Sequence, residues 1–103
     1  MKIEILYFDD CPSWKTGLEN MRSALEFEGI QGNIILIKVM NDHDARRLKF
    51  LGSPDFGVDN QALWSEEREN YLLNCRVYPT PDGIKGYPTV SMLRQQLQQL
   101  KGE

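Results

Sequence analysis

Two cysteines, one histidine and five prolines are the residues of this 103-residue chain whose types go beyond packing. Cys11 stands in Phe8-Asp9-Asp10-Cys11-Pro12-Ser13-Trp14. Proline is favoured in the first turn of a helix, so Pro12 marks a helix start and Cys11 becomes its N-cap. A sulfur at that position faces the free N–H groups of Ser13 and Trp14 and the positive end of the helix dipole. Both effects favour the thiolate, the nucleophilic form of cysteine, and lower its pKa below the usual value of about 8.5. Asp9 and Asp10 oppose this by like-charge repulsion. The helix end is expected to win, because its donors touch the sulfur while the carboxylates can turn to solvent. His43, in Asn41-Asp42-His43-Asp44, has no second group of ligands at metal spacing, so it reads as a solvated helix start and no metal site is expected. A soft thiolate could hold a thiophilic metal, but two cysteines 64 positions apart make a poor cage. The chain has no glycine-rich phosphate loop and no Ser/His/Asp set, and Glu66, Glu67 and Glu69 read as a solvated face.

The elements that must position Cys11 follow from hydrophobic pattern. Residues 2–8 are β-rich and apolar on both faces apart from Lys2 and Glu4, which suits a strand covered on both sides. Trp14, Leu18, Met21 and Leu25 form one apolar helical stripe, closed by Gly29 and Gly32. Asn33 to Val39 is rich in β-branched residues and predicts a second buried strand. Asn41 or Asp42 can cap a short helix carrying Ala45, Leu48 and Leu51, which Gly52-Ser53-Pro54 stops. Phe56-Gly57-Val58 predicts a third strand and Asp59-Asn60 a turn. Residues 61–73 read as a surface loop or helical turn. Cys75-Arg76-Val77-Tyr78 predicts a fourth strand, and Pro79 to Gly83 a turn. A last helix runs from about Thr89 to Leu100, with Val90, Leu93, Leu97 and Leu100 inward. The order is β-α-β-α-β-β-α, a single α/β domain over residues 1–103, with helices on both faces of a four-stranded mixed sheet.

Bulk composition narrows the function. A net charge of -3 and a pI near 5.1 argue against nucleic-acid binding, which needs a basic face. No apolar run approaches a bilayer span, so no membrane role is expected. The start, Met1 to Phe8 with Glu4 inside it, reads as a strand rather than a secretory leader, which points to the cytoplasm. Two cysteines are too few for a secreted disulfide scaffold and should rest as thiols there.

The element order, with Cys11-Pro12 at the end of the first strand and Ser53-Pro54 before the third, resembles the thioredoxin superfamily. More narrowly, Phe8 to Trp14, Leu51-Gly52-Ser53-Pro54, Cys75-Arg76-Val77-Tyr78, Asp82-Gly83 and Pro88-Thr89 are similar to motifs of small bacterial thioredoxin-like proteins. The resemblance implies a sheet of order 2-1-3-4 and a cis-proline at Pro54 facing the thiol. It also implies a departure: Trp14 occupies the place of the second cysteine of Cys-x-x-Cys, leaving a monothiol arrangement. Pro12, Trp14, Ser53 and Pro54 are then the binding residues around Cys11, with Pro54 aligning an incoming extended chain by backbone hydrogen bonds. Tyr87 and Pro88 are placed near the same edge of the sheet, and Tyr78 as a packing residue.

In that topology Cys75 opens a fourth strand running parallel to the first. Two strand spacings and several residues of rise put it on the order of 15 Å from Cys11, too far for a disulfide. Cys75 therefore reads as a buried core thiol, and becomes the resolving thiol only if the two meet. Two functions are carried forward. One is a thiol-redox protein in which Cys11 forms mixed disulfides with a protein or with a small thiol such as glutathione, without a further cofactor. The other is a non-catalytic thioredoxin-fold binding module, since fold does not fix function.

Overall fold

The computed structural model describes residues 1–101. Nine elements follow in order: β1 (Lys2–Tyr7), α1 (Trp14–Glu28), β2 (Asn33–Lys38), α2 (Asp42–Leu48), β3 (Asp55–Val58), β4 (Gln61–Ala62), β5 (Tyr78–Thr80), β6 (Gly83–Lys85) and α3 (Val90–Lys101). The main sheet has the order β2-β1-β3-β4, with β1 parallel to β2 and antiparallel to β3. This is the predicted four-stranded mixed sheet, consistent with thioredoxin-like topology. α1 supplies the crossover that parallel strands require.

Side chains alternate along β1 and so feed two cores. Ile3 and Ile5 lie with Leu18, Met21, Ala24 and Leu25 of α1 and Leu93 and Leu97 of α3. On the other face, Leu6 and Phe8 join Val39, Ala45 and Phe50 around α2. The apolar stripes read in α1 and α3 thus both point into the first core. α1 ends as glycine permits, with Gly29 in the left-handed region at φ 63° and its N–H on Glu26 and Leu25 carbonyls. α2 carries the predicted Asn41 cap, whose side chain accepts from the Asp44 N–H at 2.8 Å. Asp59 and Asn60, both at positive φ, turn the β3–β4 hairpin.

Three expectations are corrected. The fourth strand of the sheet is Gln61–Ala62, hairpin-paired to β3, and not Cys75 to Tyr78. Only Tyr78 of that stretch is in a strand, and it belongs to a separate β5–β6 ribbon. The Asp59-Asn60 turn reverses the chain at once, so the sheet position beside β3 is filled before residue 75 is reached. Second, β2 is not buried: none of its six residues is, and Ile35 and Leu36 are 39% and 42% exposed. It is the outer strand, paired with β1 on one side, and Ile34 of it packs against the first core. Third, α1 starts at Trp14 with Ser13, not Cys11, as its N-cap. Its first backbone bond runs from the Gly17 N–H to the Ser13 carbonyl at 3.1 Å. Cys11 precedes a proline, which disfavours helical dihedrals there, and it closes a turn by donating its N–H to the Phe8 carbonyl at 3.2 Å.

Among the described residues no helix is long and apolar enough to cross a membrane.

Candidate functional site

The site is built at the end of β1, where three distant pieces of chain converge on Ser53. The Ser53-Pro54 bond is cis, as the resemblance implied. Ser53 is fully buried, and its polar groups are all engaged. Its hydroxyl accepts from the Phe8 N–H at 3.4 Å, which ties it to the end of β1. Its N–H donates to the Asn74 carbonyl at 2.9 Å, and its carbonyl accepts from the Arg76 N–H at 3.0 Å. Those two bonds are the parallel bridge between Ser53 and Cys75. The same carbonyl accepts from the Cys11 thiol, with Sγ at 3.4 Å. The sulfur predicted to face the α1 amides therefore faces Ser53 instead.

Cys75 is thereby brought to Cys11. The bridge sets Cys75 opposite Ser53, the residue whose carbonyl takes the Cys11 thiol, and Cys11 is near enough to act on the titration of Cys75. This overturns the separation of about 15 Å expected from sheet spacings, because residue 75 crosses over the Ser53 loop and not along the sheet. The expected buried thiol is also corrected: Cys75 is exposed, while Cys11 is 1% exposed. The pKa of Cys75 is pushed up to about 11, first by desolvation, then by its hydrogen bond to Cys11 and the charge that Cys11 can carry. Neither cysteine is in a disulfide.

A buried polar clasp holds this crossing in place. Arg76 donates Nη1 to Asp55 Oδ1 at 3.1 Å, with both side chains 8% exposed. Asp55 Oδ2 accepts from the Leu51 N–H at 3.0 Å, closing the loop that carries Ser53-Pro54. Burial pushes the Asp55 carboxyl up, against the pull of the Leu51 amide and Arg76. Arg76 also lies 5.1 Å over the Tyr78 ring and donates to the Trp64 carbonyl. Tyr78 is buried, donates its hydroxyl to the Pro54 carbonyl, and is raised in pKa by burial. The pattern Cys75-Arg76-Val77-Tyr78 now has a physical account. Arg76 and Tyr78 are anchors turned into the molecule, and Cys75 is the residue they hold against Cys11. Gly52 permits the approach: it sits at φ 120°, and a Cβ there would come within 2.9 Å of the Arg76 backbone.

Of the other sequence-predicted residues, Trp14 is half-buried and stacks on Tyr7 with ring centroids 4.2 Å apart. Pro12 is exposed beside it, and Pro54 is fully buried. A Cβ on Gly86 would collide with Ser13, so the chain leading to Tyr87 and Pro88 does cross this edge. His43 lies exposed at the start of α2, far from any group of three metal-ligating side chains among the described residues, since there is none. Sequence reasoning missed Asp55 as a site residue. Its signal was an acidic residue directly after Ser53-Pro54 with an arginine beside the second cysteine.

No family model, no curated protein and no solved structure matches this chain.

Proposed function

We propose that this chain is a thiol-redox protein whose working group is the Cys11–Cys75 pair, assembled across 64 positions of sequence where thioredoxin-like proteins use a Cys-x-x-Cys motif. The observation that carries the reading is the Ser53–Cys75 bridge, which sets Cys75 opposite the residue whose carbonyl takes the Cys11 thiol at 3.4 Å. Attack of one thiolate on an external disulfide RSSR′ forms a mixed disulfide and expels R′SH. Attack by the other cysteine on the protein sulfur of that intermediate expels RSH and leaves a Cys11–Cys75 disulfide. Two electrons pass from the pair to the substrate, and two external thiol groups restore them, themselves leaving joined as a disulfide. Cys11 is the nucleophile in this scheme, and Cys75, whose pKa is pushed up to about 11, is the resolving thiol. Cys75 lines a surface groove of 460 Å³ with Trp64 and Arg68, which gives a disulfide a route to the pair. Trp14, Pro12 and the Ser53-Pro54 loop frame the other side.

The substrate is a protein disulfide or a small one such as glutathione disulfide. An extended chain meets an obstacle the sequence did not reveal. The N–H and carbonyl of Ser53, which would align it beside Pro54, are already bonded to Asn74 and Arg76. This occupancy, with Cys11 only 1% exposed, is what favours the second reading, a binding module without catalysis.

Oxidation with diamide followed by peptide mass spectrometry decides between them. The redox reading expects an intramolecular link between the peptides of Cys11 and Cys75, absent in Cys11→Ser, and reduction of that link by glutathione or dithiothreitol. Two alkylatable thiols after diamide, or disulfides only between molecules, would leave the module reading.

A further inference from the structure

We infer that β2 is an association edge, on which a second copy of this chain pairs strand to strand to form a continuous eight-stranded sheet. The segment Ile34-Ile35-Leu36-Ile37 is the most β-prone and apolar run in the molecule, yet no residue of β2 is buried. One side of β2 pairs with β1, and on the other side there is no strand among the described residues. Sheets protect such edges with prolines, bulges, short length or charged side chains, lysine above all. β2 has six residues in unbroken register with β1, no proline, and one charge, Lys38, at its end.

The hydrogen bonds choose both the register and the occupant. The N–H groups of Asn33 and Val39 point inward, to the Met1 and Tyr7 carbonyls of the β1 side. Alternation then turns the N–H and carbonyl groups of Ile34, Leu36 and Lys38 outward, to the free edge. An antiparallel copy satisfies all of them in one arrangement, with a two-fold axis at Leu36. Leu36 meets Leu36 of the second copy, and Ile34 meets its Lys38. On the other face Ile35 meets Ile37. No like charges are opposed. Lys38 is already paired with Asp9 of its own chain, so it meets Ile34 of the second copy with its charge satisfied and its aliphatic stem against the isoleucine. A strand of another sequence could use the same backbone groups, but this self-complementarity of aliphatic side chains about one residue is met by a second copy. Closed pairing about a two-fold is also the commonest route to a stable oligomer. The inference uses neither cysteine.

The test is light scattering on the purified chain across a concentration series, with Leu36→Lys beside the wild type. The wild type is expected as a dimer. Leu36→Lys puts two ammonium groups face to face on the axis and should raise the dimer dissociation constant at least tenfold. Circular dichroism confirms folding, which Leu36 at 42% exposure allows. In a Cys11→Ser/Cys75→Ser background, Leu36→Cys should cross-link under mild oxidation and Ile34→Cys should not, since only residue 36 meets itself. A wild type that stays monomeric, a dimer indifferent to Leu36→Lys, or cross-linking at 34 in place of 36 would overturn the proposal.

Discussion

Residues 50–56 and 33–38 make an instructive pair. The first stretch contains a serine, an aspartate and a glycine, and every residue in it is buried. The second is nearly all aliphatic, and none of it is. Burial here follows position in the sheet and the availability of polar partners more than it follows hydrophobicity. Ser53 and Asp55 are acceptable inside because each polar atom is bonded. Ile35 and Leu36 are outside because the sheet ends at β2. The redox proposal belongs to the first region and the association proposal to the second, so perturbing each region separately tests what it holds.

The largest effect is expected at the clasp. Asp55→Ala leaves the Arg76 guanidinium buried without its carboxylate, which costs about 3–5 kcal/mol. The loss should appear as a lowered urea midpoint, and diamide should no longer close Cys11 to Cys75 efficiently. The pair as a whole is another matter. The Asp55 carboxyl is raised, so its ionisation is disfavoured by folding. The sign is that of a group whose contribution is full below its unfolded pKa and is lost as pH rises through the folded one. The clasp therefore supplies placement more than stability at neutral pH. The double variant Asp55→Leu/Arg76→Met should recover most of the stability that Asp55→Ala loses while leaving the thiols uncoupled. Recovery of both properties together would show that packing alone, and not the ion pair, sets the position of Cys75.

That dependence explains which parts of the molecule could be read in advance. β1, the stripes of α1 and α3, the Asn41 cap, the Asp59-Asn60 turn and the cis Ser53-Pro54 bond are consequences of local pattern or of motif resemblance, and the structure has them. The position of Cys75 is not local. It rests on Arg76 reaching Asp55 and Tyr78 reaching Pro54, contacts spanning 21 and 24 positions. No periodicity encodes which loop a strand-like tetrapeptide will cross. The exposure of β2 was hidden for a different reason. An apolar run signals that both faces want cover, and it reads the same whether the cover comes from this chain or from another. The Cys11-Pro12 pattern starts α1 two residues too early, because Pro12 suits the first position of a helix as well as the turn before it; Ser13 caps instead.

A smaller effect links the two thiols. The Cys75 thiol, at about 11, should alkylate with a rate still climbing above pH 9, where an ordinary cysteine has levelled off. Two of the three causes of that shift are Cys11. Cys11→Ser removes its ionisable neighbour, so the Cys75 pKa should fall and its iodoacetamide rate at pH 8 should rise by about tenfold for each unit recovered. Desolvation, the largest cause, remains, so the return is partial. A Cys75 rate unchanged by Cys11→Ser would mean that the sulfurs do not sense each other, and the proposed dithiol would lose its footing.

The smallest effect is expected at the aliphatic edge, and it is the sharpest contrast with the clasp. Ile35→Thr removes an apolar side chain already 39% exposed and keeps the β-branched shape, so it should change the stability of the dilute, monomeric chain by no more than about 0.5 kcal/mol. In a paired sheet Ile35 packs on Ile37 of the second copy, and the same substitution should then cost more as concentration rises, since association stabilises the folded state by mass action. Thermal unfolding of wild type and Ile35→Thr at low and high protein concentration reads this directly. Midpoints that part only at high concentration place the missing cover of β2 in a second copy. A large loss in the dilute chain would show instead that Ile35 is held within its own fold, and the contrast between the two regions would fail at its weaker end.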